Sequence, residues 1–495
     1  MHLVKPVLLF LLLSLLVPSC TAFSEPDAFA GPDPSLGSPF GFTTSFYPPR
    51  RPPREEMEAM RKRMAFAGKP ADDPPYSTAL DLGVRWERPT HPVLDWSFVQ
   101  RDREAIMNGT YDWTVPDNFL KNVPRDLSLV VTLNAGDRVF FPGTWQFRSP
   151  QAKTAFLEFV KKAVERYNGD GINDMPGLRS PVKYWQIENE PESHVDRRGP
   201  GRPQPNLDWR GFADLVRSTY EAIKEADGSA RVLSGGIVSP PPGLRDTLIE
   251  KFWMPLIGEL NGRAIDIFDF HWFDDSYRDS YHTYKRIREA LDRNGFAHTE
   301  IWITETGASS KEGERRQAVE LVKRFVYPLS YGAKKVFWAW ALVEGWPPFD
   351  CQSMFDYTGL IYDGSCPGDP GYGVRKLGYY TYRQMTQKLS GISLANVRTL
   401  SAGEGNIFAF RFPRTGADIY VVWHDTAREG ERAPFELKGV EDGDYIVTEA
   451  VPSAAEGRQV NGSRDVPFPV KRVKAAGRTV LLELSSSPVY VEKAH

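Results

Sequence analysis

Cysteine is scarce: the chain of 495 residues holds three, Cys20, Cys351 and Cys366. At those spacings they make no zinc cluster. An excess of either charge is also missing. Lys and Arg number 61 against 64 Asp and Glu, leaving −3, so no basic surplus points to nucleic acid. The apolar run Pro6–Val17 has 12 residues, short of the roughly 20 that a bilayer-spanning helix needs. No G-x-G-x-x-G follows an early strand pattern, which argues against a doubly wound dinucleotide-binding sheet, the runner-up architecture. What is present is a large apolar supply. Hydrophobic residues make up 41%, with 13 Trp, 20 Tyr and 29 Phe. That composition fills a substantial core and excludes a wholly disordered or collagen-like chain.

Residues 1–20 carry the pattern of an export signal: Lys5, then the apolar run, then small residues. Val17-Pro18-Ser19-Cys20 resembles the lipobox of bacterial lipoproteins, although Pro18 is unusual there. Two outcomes follow, a lipoprotein of the bacterial cell envelope held by a lipid on Cys20, or plain secretion. That lipid is the sole membrane contact expected. Cys351 and Cys366 lie in a Pro/Gly-rich segment, and in an oxidising compartment they are expected to pair.

About 150 residues per domain gives a prior of two to three domains, and an α/β barrel larger than average reduces it to two. Residues 21–38 are rich in Ser, Pro, Gly and Asp and read as a linker. Eight strand candidates follow, at 41–47, 80–87, 127–134, 182–190, 230–236, 265–273, 300–307 and 335–341. Helical patterns separate most of them. In 153–167, Phe156, Phe159, Val160, Ala163, Val164 and Tyr167 share one face. Eight βα units over residues 39–390 match a (β/α)8 TIM barrel with insertions. From 391 to 495 the texture changes to short alternating strands between Gly, Pro and Asp turns, as in an all-β sandwich.

In such a barrel, chemistry sits where the strands end. Strand two ends near Arg85, strand three at Asn134, strand four at Gln186-Ile187-Glu188-Asn189-Glu190-Pro191 and strand six at His271-Trp272. Strand seven ends at Thr304-Glu305-Thr306, and strand eight carries Trp338 and Trp340. Side chains alternate along a strand, so Asn189 and Glu190 both enter a cleft only if the strand stops there. Pro191 favours that stop. Glu188, two residues earlier, reads as structural. Two carboxylates across a sugar-sized gap are what glycosidic cleavage requires, one protonated to assist the leaving oxygen and one ionised.

Trp185-Gln186-Ile187-Glu188-Asn189-Glu190-Pro191 and Trp302-Ile303-Thr304-Glu305-Thr306-Gly307 resemble the strand-four and strand-seven signatures of the retaining (β/α)8 glycoside hydrolase clan, the 4/7 superfamily. With the sandwich behind it, the layout is most similar to family 39. The resemblance implies Glu190 as acid/base and Glu305 as nucleophile, with Arg85 holding Glu305 ionised. It places His271 at the strand-six position and Trp340 or Trp338 as the platform under the sugar. Asn189 is then expected to contact the 2-hydroxyl. Asn134, and Trp145 on the loop after strand three, are further substrate-binding candidates.

One departure stands out: strand six has His271-Trp272-Phe273 where much of the clan has His-x-Tyr, leaving Tyr277, Tyr281 or Tyr284 to supply the Tyr. The implied activity is retaining hydrolysis of β-type glycosidic bonds in an oligo- or polysaccharide, with no cofactor or metal. The alternative is a non-catalytic carbohydrate-binding or surface-structural protein on the same scaffold. It predicts loss of a catalytic Glu, and both are present.

Overall fold

The computed structural model describes residues 37–44, 76–89, 93–136, 139–193, 206–274, 276–340, 342–345, 351–426, 430–461, 463 and 466–494. The expected export segment, Cys20 and residues 21–36 of the linker lie outside them.

Among the described residues eight parallel strands close into a barrel. They are β1 (Phe40–Thr44), β2 (Trp86–Pro89), β3 (Ser128–Asn134), β4 (Tyr184–Ile187), β5 (Arg231–Leu233), β6 (Ile267–Trp272), β7 (Glu300–Thr306) and β8 (Val336–Trp338). Each pairs with the next, and β8 returns to β1. Helices α1 (Pro150–Tyr167), α2 (Trp209–Ala226), α3 (Met254–Leu260), α4 (Ser280–Arg293), α5 (Glu314–Tyr331) and α6 (Leu377–Lys388) pack outside. In α1 the buried face is the predicted one, Phe156, Phe159, Val160, Ala163, Val164 and Tyr167. Its start is set by Pro150 in the first turn and by the Ser149 side chain, which accepts from the Ala152 amide.

The barrel floor is aromatic. Trp86, Tyr184, Trp302 and Phe337 pack there with Val130, Leu233 and Ile267. Gly41 makes room for them: a Cβ at that position would lie 2.5 Å from the Phe337 ring. Above the floor the filling turns polar, with Thr132 on Gln186 and Thr304 on Asp269. This layer carries the functional groups upward to the strand ends.

The second strand runs later than its sequence window. Tyr76–Asp81 is helical, and Gly83 turns at φ +74°. The apolar residues Leu80, Leu82 and Val84 therefore belong to a helix end and a turn, and the strand begins at Trp86.

Beyond α6 the chain forms two antiparallel sheets. One has the order β9-β10-β11-β16-β13-β14 (Arg398–Glu404, Ile407–Phe412, Ile419–His424, Val489–Lys493, Gly443–Glu449, Val470–Ala475) and the other pairs β12 (Ala433–Lys438) with β15 (Thr479–Leu484). The larger sheet uses both faces. Ala409, Tyr420, Val422 and Val491 pack with Leu437 and Val480 of the small sheet. Phe408, Phe410 and Trp423 point the other way and meet Tyr277 and Tyr327 of the barrel. The Trp423 indole donates to the Tyr277 hydroxyl at 2.9 Å. Asp425 pairs with both Arg278 (2.6 Å) and Lys323 (2.7 Å), and these two cations hold its carboxyl below the ordinary value despite burial.

Cys351 and Cys366 are joined in the loop after β8, Cα atoms 5.6 Å apart. Thiol titration of the denatured, unreduced chain is expected to find one thiol at most, from Cys20. Reduction is expected to lower the melting temperature, since closing this 15-residue separation restricts the unfolded chain by about 3 kcal/mol. Two or more free thiols would refute the pairing.

Candidate active site

Strand β4 ends at Ile187, and the chain then turns sharply. Glu188 (φ +57°) and Glu190 (φ +46°) both adopt left-handed backbone, a conformation that non-glycine residues take at a cost and that clusters at functional sites. Hydrogen bonds pin it. The Glu190 amide donates to the Gly235 carbonyl at 2.8 Å, and Ser193 donates from its amide and hydroxyl to the Glu190 carbonyl. The turn Pro191–Ser193 follows. Glu188 accepts from the Ala135 amide at 2.8 Å, so it serves the scaffold, as its sequence position suggested.

Glu305 is aimed by an irregularity between β6 and β7. Phe270 pairs with Ile303, but His271 pairs with Glu305, so the ladder skips one residue. Thr304 and Glu305 consequently both turn inward: Thr304 donates to Asp269, and Glu305 faces Arg88 and His271. Bulges of this kind re-aim side chains beside active sites.

The cation on Glu305 is Arg88, not Arg85. Arg85 precedes β2, and among the described residues its guanidinium donates to the Val84 carbonyl, at 3.4 Å. Because β2 runs later than predicted, the third residue of the strand reaches the barrel mouth. Arg88 donates from Nη1 to Glu305 Oε1 (2.6 Å), from Nε to Gln186 Oε1 (2.6 Å) and from Nη2 to Asn189 Oδ1. The sequence held a signal for it, since Trp86 and Arg88 share one parity and Trp86 lies inside the barrel.

His271 Nδ1 lies 2.7 Å from Glu190 Oε1 and 3.5 Å from Glu305 Oε2. Its ring packs on Gly236, where a Cβ would come within 2.5 Å of Nε2. Gly235 and Gly236 (φ +108° and +73°) thus let the histidine and the Glu190 turn approach together. Burial lowers the His271 pKa, but the charges of Glu305 and Glu190 outweigh it and raise the value overall. Burial drives the Glu305 carboxyl above its ordinary value, while His271 and Arg88 pull it down.

One oxygen of Glu190, one of Glu305 and a His271 nitrogen lie within 4.8 Å of one another. Retaining glycosidases hold their carboxyls about 5–5.5 Å apart, inverting ones about 6.5–9.5 Å. The side chains differ in access, 24% exposed for Glu190 and 2% for Glu305. An open carboxyl can exchange protons with water, whereas a buried one held by a guanidinium suits a nucleophile. These three groups, and Glu344 with Asp363 and Asp369, have ligand-like spacing for a metal. Fixed positive charge already meets each set, from Arg88 on Glu305 and from Lys376 on Glu344.

The other expected residues divide. Trp340 is partly exposed at the mouth, its ring parallel to Phe273 (6.4 Å, 10°) and edge-on to Phe355 (5.6 Å). Trp338 is not a platform. Its neighbour Phe337 points into the barrel, so Trp338 points outward and is fully buried, donating to the Thr358 carbonyl. Trp145 is not a sugar platform either: it is 3% exposed, packed between Phe140 and Phe212. Asn134 is half-buried at the end of β3, and its Oδ1 accepts from the Gly136 amide. Tyr277 lies in the sandwich contact, and Tyr281 and Tyr284 pack on Tyr331, so none of the three stands at Glu305. Phe273 closes the window expected for strand six and Phe355 lies in the loop after β8, and neither position in the sequence marks an aromatic as mouth-lining.

The class these observations define is a (β/α)8 barrel with an appended β-sandwich, and known structures share it. The chain is similar to a family 39 glycoside hydrolase from Bacteroides cellulosilyticus WH2 (TM-score 0.60, 15% identity, 93% of this chain and 82% of that one). It is similar to a monomeric beta-xylosidase from Caulobacter crescentus CB15 (0.55, 16%, 92% and 96%). It also resembles a family 51 alpha-L-arabinofuranosidase from Bifidobacterium longum (0.55, 13%, 93% and 96%). No family model and no curated protein matches the sequence.

Proposed function

We propose that the protein is an exported retaining glycoside hydrolase acting on β-type bonds of an oligo- or polysaccharide. The observation that carries this is the unequal carboxylate pair: Glu305 buried on Arg88, Glu190 open on His271, oxygens within 4.8 Å. In the first step Glu305 attacks the anomeric carbon while Glu190 gives its proton to the leaving oxygen. In the second, Glu190 takes a proton from water, which displaces Glu305. Asn189 is held by Arg88 through Oδ1, and its amide nitrogen donates to the 2-hydroxyl. Trp340 stacks on the sugar's apolar face. The beta-xylosidase and the alpha-L-arabinofuranosidase among the similar structures make aryl pentosides sensible first substrates.

The test is the configuration of the first product. Proton NMR during early turnover of a β-linked aryl glycoside should show the β-hemiacetal first, with mutarotation later. An initial α-product would overturn double displacement.

A further inference from the structure

Below the mouth, β6 carries a buried carboxyl that the proposed reaction does not use. Asp269 is fully buried, and both its oxygens are occupied. Oδ2 accepts from the Thr304 hydroxyl at 2.9 Å. Oδ1 accepts from the Ser234 hydroxyl at 2.8 Å and from the Gly235 amide at 3.1 Å. The Ser234 oxygen in turn accepts from the Asp269 amide at 3.0 Å.

Both arms end beside a catalytic carboxyl. Thr304 is the residue that the β6–β7 ladder skips, so Oδ2 holds the bulge that turns Glu305 inward. The Gly235 carbonyl accepts from the Glu190 amide at 2.8 Å, so Oδ1 holds the residue from which the Glu190 turn hangs. Gly235 also sits tightly on the end of β4, where a Cβ would lie 2.6 Å from the Ile187 carbonyl oxygen. A shift of Gly235 therefore reaches Glu190 directly.

The side chain suits this double duty. A carboxylate offers two acceptor oxygens, whereas asparagine has the same shape with one acceptor, and its NH2 cannot take the Thr304 proton. The backbone also ties the β5 loop to β6. Ile237 bridges Phe270, and the Ile237 amide donates to the Asp269 carbonyl at 3.2 Å. Those bonds keep the loop docked and leave its fine position to the side chain.

We propose that Asp269 is a positioning residue that sets the spacing of the two catalytic carboxyls, with one oxygen on the Glu305 bulge and the other on the loop that holds Glu190. The inference rests on the reading of Glu305 as nucleophile and Glu190 as acid/base. A misplacement of about 1 Å can cost about 10²-fold in rate, so the loss of either arm is measurable.

The experiment measures kcat/KM and melting temperature for the wild type, Thr304→Val, Thr304→Ser, Asp269→Ala and Glu190→Gln. Two aryl glycosides are used, one with a poor leaving group and one with an activated one. Thr304→Val keeps the shape and removes the hydroxyl. It should lose about 10- to 10²-fold, by the same factor on both substrates, because the nucleophile attacks in each. Thr304→Ser restores the hydroxyl and should recover most of that loss. Asp269→Ala cuts both arms, so it should lose further on the poor leaving group, which needs the proton from Glu190. Adding Thr304→Val to Asp269→Ala should then cost nothing more on the activated substrate. Unchanged kcat/KM in Thr304→Val, even with a lower melting temperature, would overturn the Glu305 arm. A loss in Asp269→Ala that is equal on the two substrates would overturn the Glu190 arm. If Asp269→Ala does not fold, Asp269→Asn replaces it. With one acceptor it must release one arm, and wild-type kcat/KM on the poor leaving group would refute the proposal. Glu190→Gln separates this inference from the reading beneath it. If its loss does not depend on the leaving group, the acid/base assignment falls and takes the Glu190 arm with it, while the Thr304 variants still decide the Glu305 arm.

Discussion

Glu305→Ala should lose turnover on every substrate, by about 10⁵-fold or more, as expected when a covalent nucleophile is removed. Glu190→Ala should fail selectively. Its loss should be about 10²–10⁴-fold for a leaving group that needs a proton and should shrink as the leaving group improves. The asymmetry follows from geometry. Glu305 is buried, held by Arg88 and unable to exchange its role with water, whereas Glu190 is open and rests on His271. Azide should partly rescue Glu190→Ala, entering the vacated space and attacking the glycosyl-enzyme to give a β-glycosyl azide. It should not rescue Glu305→Ala in this way, because no glycosyl-enzyme forms. Initial rates on a graded series of aryl glycosides check both expectations. If either variant keeps wild-type rates on a substrate the parent hydrolyses, that carboxylate has no catalytic role.

Much of this barrel is legible from hydrophobic pattern alone. β3 is a nearly continuous apolar run, and β6 and β7 are largely apolar with polar residues at or near their ends, so their boundaries fall within about two residues of the expected ones. Asn189-Glu190-Pro191 marks a turn, although the strand stops three residues short of the expected end, at Ile187, where Glu188 turns left-handed. What pattern cannot supply is the register. β8 has three residues, too few for alternation to decide whether Phe337 or Trp338 faces the interior. The skipped residue between β6 and β7 depends on how two distant strands pair, and no local signal encodes it. Trp145 misleads for a different reason. An aromatic in a loop looks exposed until the loop is seen folded back over Phe212.

Arg88 is where the register matters most for function, and Arg88→Ala should lower kcat/KM by about 10²–10³-fold. Glu305 is buried, and burial alone favours its neutral form, which cannot attack. Arg88 opposes this with a guanidinium 2.6 Å from the carboxylate, while Gln186 and Asn189 fix its orientation. Without it the Glu305 pKa should rise further. Because the ionised form is active and is lost as pH falls through that value, the acid limb of kcat/KM should move to higher pH. Part of the lost rate should therefore return in alkaline buffer. Arg88→Lys should recover little, since a single ammonium cannot reproduce three contacts made by one planar fork. Arg85→Ala is the control. That side chain touches neither carboxylate, and its loss should cost within about 0.5 kcal/mol, as for an ordinary partly exposed residue. Should Arg85→Ala shift the acid limb while Arg88→Ala leaves it in place, β2 would have to run three residues earlier, and the pairing of Trp86 with Gly41 and Ser128 would be wrong with it.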